Sequence, residues 1–258
     1  MSDAKNKEMF KNIAVVVAGG KGLRMQSTVK KQFIDLEGIP VIVRTLAAFD
    51  THCRVDEIIL VAPEQDLDFI RNDLLHRFSF STPLHIIKGG VTRQDSVGNG
   101  LDKALKICAQ PETTFVLIHD GVRPFVGENL VDRCLEGALK HGACIPVLGI
   151  CDTVKRADKN GKIICTLDRD GLFRAQTPQV FRLDLIIKAA SHARNTDFLG
   201  TDEASVCEHA KIPVAMVEGG RFNIKLTSPQ DLIFAGLIIR QAVEQKKEAE
   251  LTGHSCFY

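Results

Sequence analysis

The sequence predicts a single α/β domain built around one mostly parallel β-sheet. Short apolar runs alternate with helical stretches about every 25 to 30 residues, the rhythm of strands joined by crossover helices. The runs are continuously apolar and rich in β-branched residues, which suits strands covered on both faces. Clusters of glycine and charge follow the runs directly, at the strand ends where ligands of such sheets bind. One hairpin-like insertion after residue 150 breaks the rhythm.

Bulk composition sets the limits. A chain of 258 residues, 45% hydrophobic and 25% charged, can bury a sizeable core and fits one such domain. Residues 1–258 are read as that domain, with an arm at about 150–168; the polar residues 1–11 and the tail 249–258 lie outside its core. A net charge of +1 gives no reason to expect a nucleic-acid or membrane partner. No run approaches about 18 apolar residues, and residues 1–11 lack the apolar stretch of a signal peptide, so a cytoplasmic location is expected. The eight cysteines form no C-x-x-C pair and read as reduced, mostly buried thiols; the histidines show no zinc-binding spacing.

The elements follow in order. Ile13–Ala18 is too short for a helix and reads as the first buried strand. Pro40–Phe49 has helical spacing, Val55–Ala62 is a second strand, Asp66–His76 a helix and Leu84–Lys88 a third strand. Thr92 is placed to cap a helix running from Arg93 to about Ala109. Thr114–His119 is the fourth strand, Asn129–His141 a helix and Ala143–Leu148 the fifth strand. Cys151–Arg156 and Lys162–Asp168 then pair about the turn signal Asn160-Gly161. A hairpin projecting from a parallel sheet needs cover, so a dimer arm is expected. Leu183–Ala193 is helical, Thr201 is the candidate cap of the next helix, and Val214–Val217 and Asn223–Leu226 are strand-like. Pro229 opens a long last helix reaching about Glu248.

Chemistry concentrates at the strand ends. Gly19, Gly20 and Gly22 follow the first strand, with Lys21, Arg24, Lys30 and Lys31 close behind. Glycines let the backbone approach an anion, and the cations neutralise it, as a nucleotide polyphosphate requires. Lys21 inside the glycines excludes a Walker A loop, and Met25 at the third glycine position excludes a dinucleotide fingerprint. A glycine-rich turn with solvated lysines is the competing reading. Asp120 ends the fourth strand; its hard oxygens suit Mg²⁺ beside a triphosphate, against a helix cap or a salt bridge to Arg123. Arg123, held by Pro124, is a candidate two-point partner for phosphate or carboxylate. Lys225 lies in a strand-like stretch, where a lysine facing solvent is the ordinary case.

The segments AGGKGLRM, KKQF, GGVTRQDSV, HDGVRPF, DTVKRA, DRDGLFRAQTPQVF, TDEAS and EGGRFNIKLTSPQDL occur in the order and spacing of one family. Over about residues 12 to 240 the chain resembles the 2-C-methyl-D-erythritol 4-phosphate cytidylyltransferases. Ribitol-5-phosphate cytidylyltransferases share most of these segments. The resemblance implies a Rossmann-like nucleotidyltransferase domain, a homodimer through the 150–168 arm, and Mg²⁺ or another divalent ion as cofactor. The implied reaction joins CTP and methylerythritol phosphate in non-mevalonate isoprenoid synthesis. Ala18, Gly19, Gly20 and Gly22 would wrap CTP, while Arg24, Lys31 and Lys225 would neutralise the reacting phosphates. Gly89, Gly90, Arg93 and Ser96 would line the cytidine pocket, and Asp120 would face the metal. Arg123, Thr153, Arg169, Thr177, Thr201 and Lys225 match positions that hold the polyol phosphate, Thr153 reaching the partner subunit's site.

The chain also departs from the family pattern. Lys30 stands where proline is usual, Gly121 and Val122 replace a common Ala-Ala, and Val91 replaces a frequent polar residue. AGGKG and HDGVRPF favour ribitol phosphate as the acceptor, whereas DTVKRA, DRDGL and TDEAS pull toward methylerythritol phosphate. A regulatory protein that binds CTP without turnover is the reading of a different class. The complete charged set stands against it.

Overall fold

The computed structural model describes residues 10–19 and 30–252, with side chains to residue 245. The chain runs through β1 (Lys11–Val17), a two-residue pair β2 (Asp35–Leu36) and β3 (Ile39–Pro40), α1 (Val41–Asp50), β4 (Glu57–Ala62) and β5 (Leu84–Lys88). Next come α2 (Arg93–Ile107), β6 (Thr114–Asp120), α3 (Glu128–His141) and β7 (Ala143–Gly149). The hairpin β8 (Val154–Ala157) and β9 (Ile163–Leu167) precedes β10 (Phe173–Ala175) and β11 (Gln179–Arg182). Helices α4 (Leu183–Asn195) and α5 (Glu203–His209), strand β12 (Ala215–Glu218) and helix α6 (Pro229–Thr252) complete it.

One eight-stranded sheet has the order β10-β7-β11-β6-β1-β4-β5, with β12 paired to β7. β1 lies between β4 and β6, parallel to both, with Val15 opposite Ile59 and Ile118. Successive side chains of a strand point to opposite faces, so β1 feeds two cores. Ala14 and Val16 pack with Leu46 and Phe49 of α1 and Leu135 of α3. Ile13 and Val15 pack with Leu101 of α2 and Ile186 of α4 on the other face. Burial on both faces is why these strands read as unbroken apolar runs. It also leaves only the strand ends free for chemistry.

The sequence reading matches the five strands β1, β4, β5, β6 and β7 and, apart from the stretch after β4, their covering helices to within a few residues. The hairpin also forms, with Gly161 at φ 81° in its turn. Four differences matter. β11 enters the middle of the sheet antiparallel to β6 and β7, and β10 pairs antiparallel with β7. The stretch expected to be one helix from Asp66 is a tight 3₁₀ turn (Glu64–Asp66), a π-helical stretch (Phe69–Leu74) and a second 3₁₀ turn (Leu75–Arg77). Asn223–Leu226, expected to be strand-like, belongs to no strand; the Leu226 amide instead donates to Val122 O at 2.9 Å. Asp202, not Thr201, caps α5, its carboxylate accepting the Ser205 amide. A carboxylate one residue nearer the helix wins that position because it reaches the third amide directly.

The cysteines among the described residues are all unpaired, but they are not mostly buried: Cys134, Cys144 and Cys207 are buried, whereas Cys53 and Cys151 are exposed. No helix among the described residues is long and apolar enough to cross a membrane.

Candidate active site

The carboxyl ends of β1 and β6, the loop after β5 and the stretch before α6 surround an open cleft of about 230 Å³. Ala18, Gly19, Lys31, Gly90, Arg93, Ser96, Asp120 and Lys225 all line it. Residues far apart in sequence meet here because parallel strands direct all their ends the same way.

Asp120 is the electrostatic centre. Its Oδ2 lies 2.9 Å from Lys225 Nζ and 3.2 Å from Arg123 Nε, and its Oδ1 lies 3.6 Å from Arg93 Nε. Burial alone would raise the pKa of this carboxyl; Lys225, Arg93 and Arg123 overturn that and hold it far below the usual carboxylate range. Asp120 is therefore a permanent anion among three cations. The salt bridge to Arg123, set from sequence against an Mg²⁺ ligand, is present, and the carboxylate also lines the cleft.

A buried network behind Asp120 holds it in place. His119 is fully buried, and burial lowers its pKa to about 4, so its ring is neutral. Its Nε2 donates to Arg123 O at 3.0 Å; a carbonyl can only accept, so Nδ1 is left to accept from the Thr177 hydroxyl, also at 3.0 Å. The same Thr177 oxygen accepts the Asp120 amide at 3.2 Å. Asn223, 1% exposed, donates to Thr177 O at 2.7 Å and accepts from Arg123 Nη1 at 2.9 Å. Asn223 thus anchors the stretch that carries Lys225 two residues on.

The other wall is the loop between β5 and α2. Thr92 and Asp95 form a reciprocal cap at the start of α2. The Ser96 hydroxyl donates to Thr92 O and accepts the Gly90 amide at 3.1 Å. A Cβ on Gly90 would stand 2.2 Å from the Asp95 Cβ, so only glycine lets the loop close on the helix. Arg93 gives both terminal nitrogens to Glu203, at 2.6 and 2.9 Å. Burial pulls the guanidinium pKa down, and the Glu203 carboxylate outweighs it.

The expected site residues divide accordingly. Ala18, Gly19, Lys31, Gly90, Arg93, Ser96, Asp120 and Lys225 share the cleft, and Arg123 joins it through Asp120. Gly89 lies beside them, its amide bound to Ala62 O. Gly20, Gly22 and Arg24 fall outside the described residues. Thr177 is buried with its hydroxyl turned inward, and Thr201 is exposed just before α5. Thr153 and Arg169 lie exposed at the base of the hairpin, where Arg169 donates to Cys151 O. Sequence reasoning placed His119 and Asn223 in strand-end clusters but gave no role to them, to Glu203 or to Gln32, whose amide donates to Ala18 O at 3.0 Å. All four are buried polar residues, and Glu203, Asn223 and the Nδ1 of His119 find partners 46 to 110 residues away. Only an unexplained polar residue inside an apolar setting could have pointed to them.

Three cations face two carboxylates here, and Lys31 adds another positive charge, so the cleft suits a polyanion. A cleft suited to a polyanion at the strand ends of a mostly parallel sheet places the protein in the class of nucleotide-binding α/β proteins. A family model described as 2-C-methyl-D-erythritol 4-phosphate cytidylyltransferase matches residues 12–241, and the chain belongs to that family. A relative of that name from Syntrophus aciditrophicus is 42% identical over 231 residues, covering 90% of this chain and 97% of its own. Among solved structures, 4-diphosphocytidyl-2C-methyl-D-erythritol synthase from Anaerococcus prevotii is 31% identical with a TM-score of 0.76, over 92% of this chain and 99% of its own. The cytidylyltransferase of Thermus thermophilus is 30% identical with a TM-score of 0.71, over 89% and 99%.

Proposed function

We propose that this protein transfers the cytidylyl group of CTP to 2-C-methyl-D-erythritol 4-phosphate, giving 4-diphosphocytidyl-2-C-methyl-D-erythritol and pyrophosphate. The step belongs to non-mevalonate isoprenoid precursor synthesis. Family membership supports the reaction. The observation that carries it onto this molecule is the triple cation contact of Asp120 beside Lys31.

An oxygen of the polyol's phosphate attacks the α-phosphorus of CTP, the bond from that phosphorus to the bridging oxygen breaks, and pyrophosphate leaves in line. No base is needed, because a phosphate monoester is already ionised near neutral pH. Both reactants are anions, so catalysis rests on positioning and charge neutralisation. In this reading Arg24, Lys31 and Lys225 steady the reacting phosphates. The backbone of Ala18, Gly19, Gly20 and Gly22 follows CTP, and Gly89, Gly90 and Ser96 border the cytidine. Arg123, Lys225 and Thr201 take the polyol phosphate. Arg93, committed to Glu203, acts on Asp120 and the loop. Thr177 acts through Asp120.

Asp120 also fits Mg²⁺. It is the one carboxylate lining the cleft among the described residues, it is ionised throughout, and Mg²⁺ typically takes one or two carboxylates with phosphates and water. Bound there, the ion would draw charge from the phosphate oxygens. The exposed hairpin, with Thr153 and Arg169 at its base and Ile163 and Ile164 each more than 60% exposed, supports a homodimer in which each arm completes its neighbour's site.

The test is pyrophosphate release from CTP with each polyol phosphate. Methylerythritol phosphate should be turned over about tenfold or more better than ribitol 5-phosphate, since misplaced hydroxyls leave pocket polar groups unpaired. The reverse preference would mean CDP-ribitol synthesis, and no release with either would leave a CTP-binding protein without turnover.

A further inference from the structure

The short turn that presents Lys31 is held at several points, and one of them is charged. Lys31–Phe33 is a single helical turn beginning directly after Lys30. On its far side Gln32, 1% exposed, is bound to Ala18 O, and the Phe33 ring meets Phe69 edge-on with centroids 5.2 Å apart. On its near side the Lys30 ammonium pairs with Asp66 Oδ1 at 2.5 Å. Asp66 closes the 3₁₀ turn after β4, its side chain is 9% exposed, and its Oδ2 has no hydrogen-bond partner among the described residues. A carboxylate buried to that degree requires a counter-charge, and Lys30 supplies it.

The backbone explains why a charge pair can do this work. Lys30 has φ −60° and ψ 135°, and that φ is the value a proline ring imposes. A ring at this position would hold the entry to the turn covalently, without changing its course. Here the ion pair across to Asp66 does so instead. We propose that Asp66 is a positioning residue of the reaction, fixing through Lys30 the backbone from which Lys31 reaches the phosphate cleft. Lysine has a long flexible stem, so the reach of its ammonium depends on where its Cα is held. A misplacement of about 1 Å can cost about 10² in rate. The proposal rests on the cytidylyl-transfer reading of the cleft.

The test compares wild type, Asp66→Asn, Lys30→Met and the double variant Asp66→Asn with Lys30→Pro. Steady-state constants for both substrates are measured together with hydrogen exchange of the amides from 31 to 33. Asp66→Asn should lower kcat/KM for CTP about tenfold, leave the KM of the polyol phosphate unchanged, and speed exchange across the turn. Lys30→Met should reproduce this independently. Lys30→Pro in the Asp66→Asn background should restore both readouts to within about threefold of wild type, because the ring removes the freedom the pair had removed. Wild-type constants and exchange in Asp66→Asn would overturn the proposal. So would a loss shared equally by both substrates and untouched by Lys30→Pro. If wild type itself releases no pyrophosphate, the cytidylyl-transfer reading fails, and the exchange rates alone still decide whether the tether exists.

Discussion

The ammonium of Lys225, from the stretch that leads into the last helix, lies 2.9 Å from Oδ2 of Asp120 at the end of β6. Arg123 and Arg93 approach the same carboxylate, so one anion orients three cations that would otherwise repel one another. Asp120→Asn removes that organiser while keeping its shape. The kcat should fall by about 10²–10³, the usual loss when a charged transition-state contact goes. Thermal stability should fall with it, because the remaining cations are left without their shared partner. Pyrophosphate release and a melting curve check the two effects, and a near-normal kcat would contradict the central place given to Asp120.

Thr177 separates a ligand-facing role from a positioning one. Its hydroxyl is spent between His119 Nδ1 and the Asp120 amide. Thr177→Val keeps the volume and leaves both groups unpaired, at a cost of about 1–3 kcal/mol. The loss should appear mainly in kcat, through a displaced Asp120, with little change in the KM of the polyol phosphate. A large rise in that KM at unchanged kcat would return Thr177 to the substrate.

His119 makes the fold acid-sensitive earlier than carboxylates would. Burial lowers its pKa from 6.5 to about 4; the Arg123 carbonyl and Asp120 oppose this, while Arg123 and Lys225 charges add to it. The unfolded state takes up a proton below the ordinary value of 6.5, and the folded state only near 4, so stability is fully present above 6.5 and declines as pH falls between the two. At about 1.4 kcal/mol per pH unit the loss is about 3 kcal/mol. Asp120, whose pKa is also depressed, adds its loss only at lower pH. Urea unfolding across this range should show the decline in wild type and a flatter profile in His119→Gln, whose amide can both donate and accept. Parallel profiles would exclude His119 as the cause.

The hairpin makes a testable claim about assembly. If Arg169 of one arm serves the neighbouring cleft while Lys225 serves its own, Arg169→Ala and Lys225→Ala should each be crippled alone. Mixed and allowed to exchange subunits, they should recover about a quarter of wild-type activity, since half the dimers then carry one intact site. Light scattering establishes the dimer, and a dimeric mixture without recovery would remove Arg169 from the neighbour's site.

Particular elements show how far the sequence could be read. β1 and β6 were legible because burial on both faces leaves an unbroken apolar run, and the start of α2 because Thr92 is a capping residue directly before a helical stretch. β11 was not. Four residues carry no readable period, and its antiparallel course depends on β6 and β7, not on its own side chains. Asp120, Lys225, Ser96 and Gly90 could be named from their place after strands and from family motifs. Glu203 could not, because nothing near it in the chain announces Arg93 as its partner.

The sequence by itself determined the alternation of strands and helices, the turns, the caps and the collection of cations and glycines at strand ends. All of these are short-range matters of sterics, burial period and backbone freedom. Tertiary structure alone decided which buried polar groups meet: Thr177 with His119, Glu203 with Arg93, and Lys30 with Asp66. A buried polar group must find a partner or bear a large desolvation cost. Which partner it finds depends on strand order and on the chain's return through β11 and the stretch around Asn223, and no local pattern encodes either.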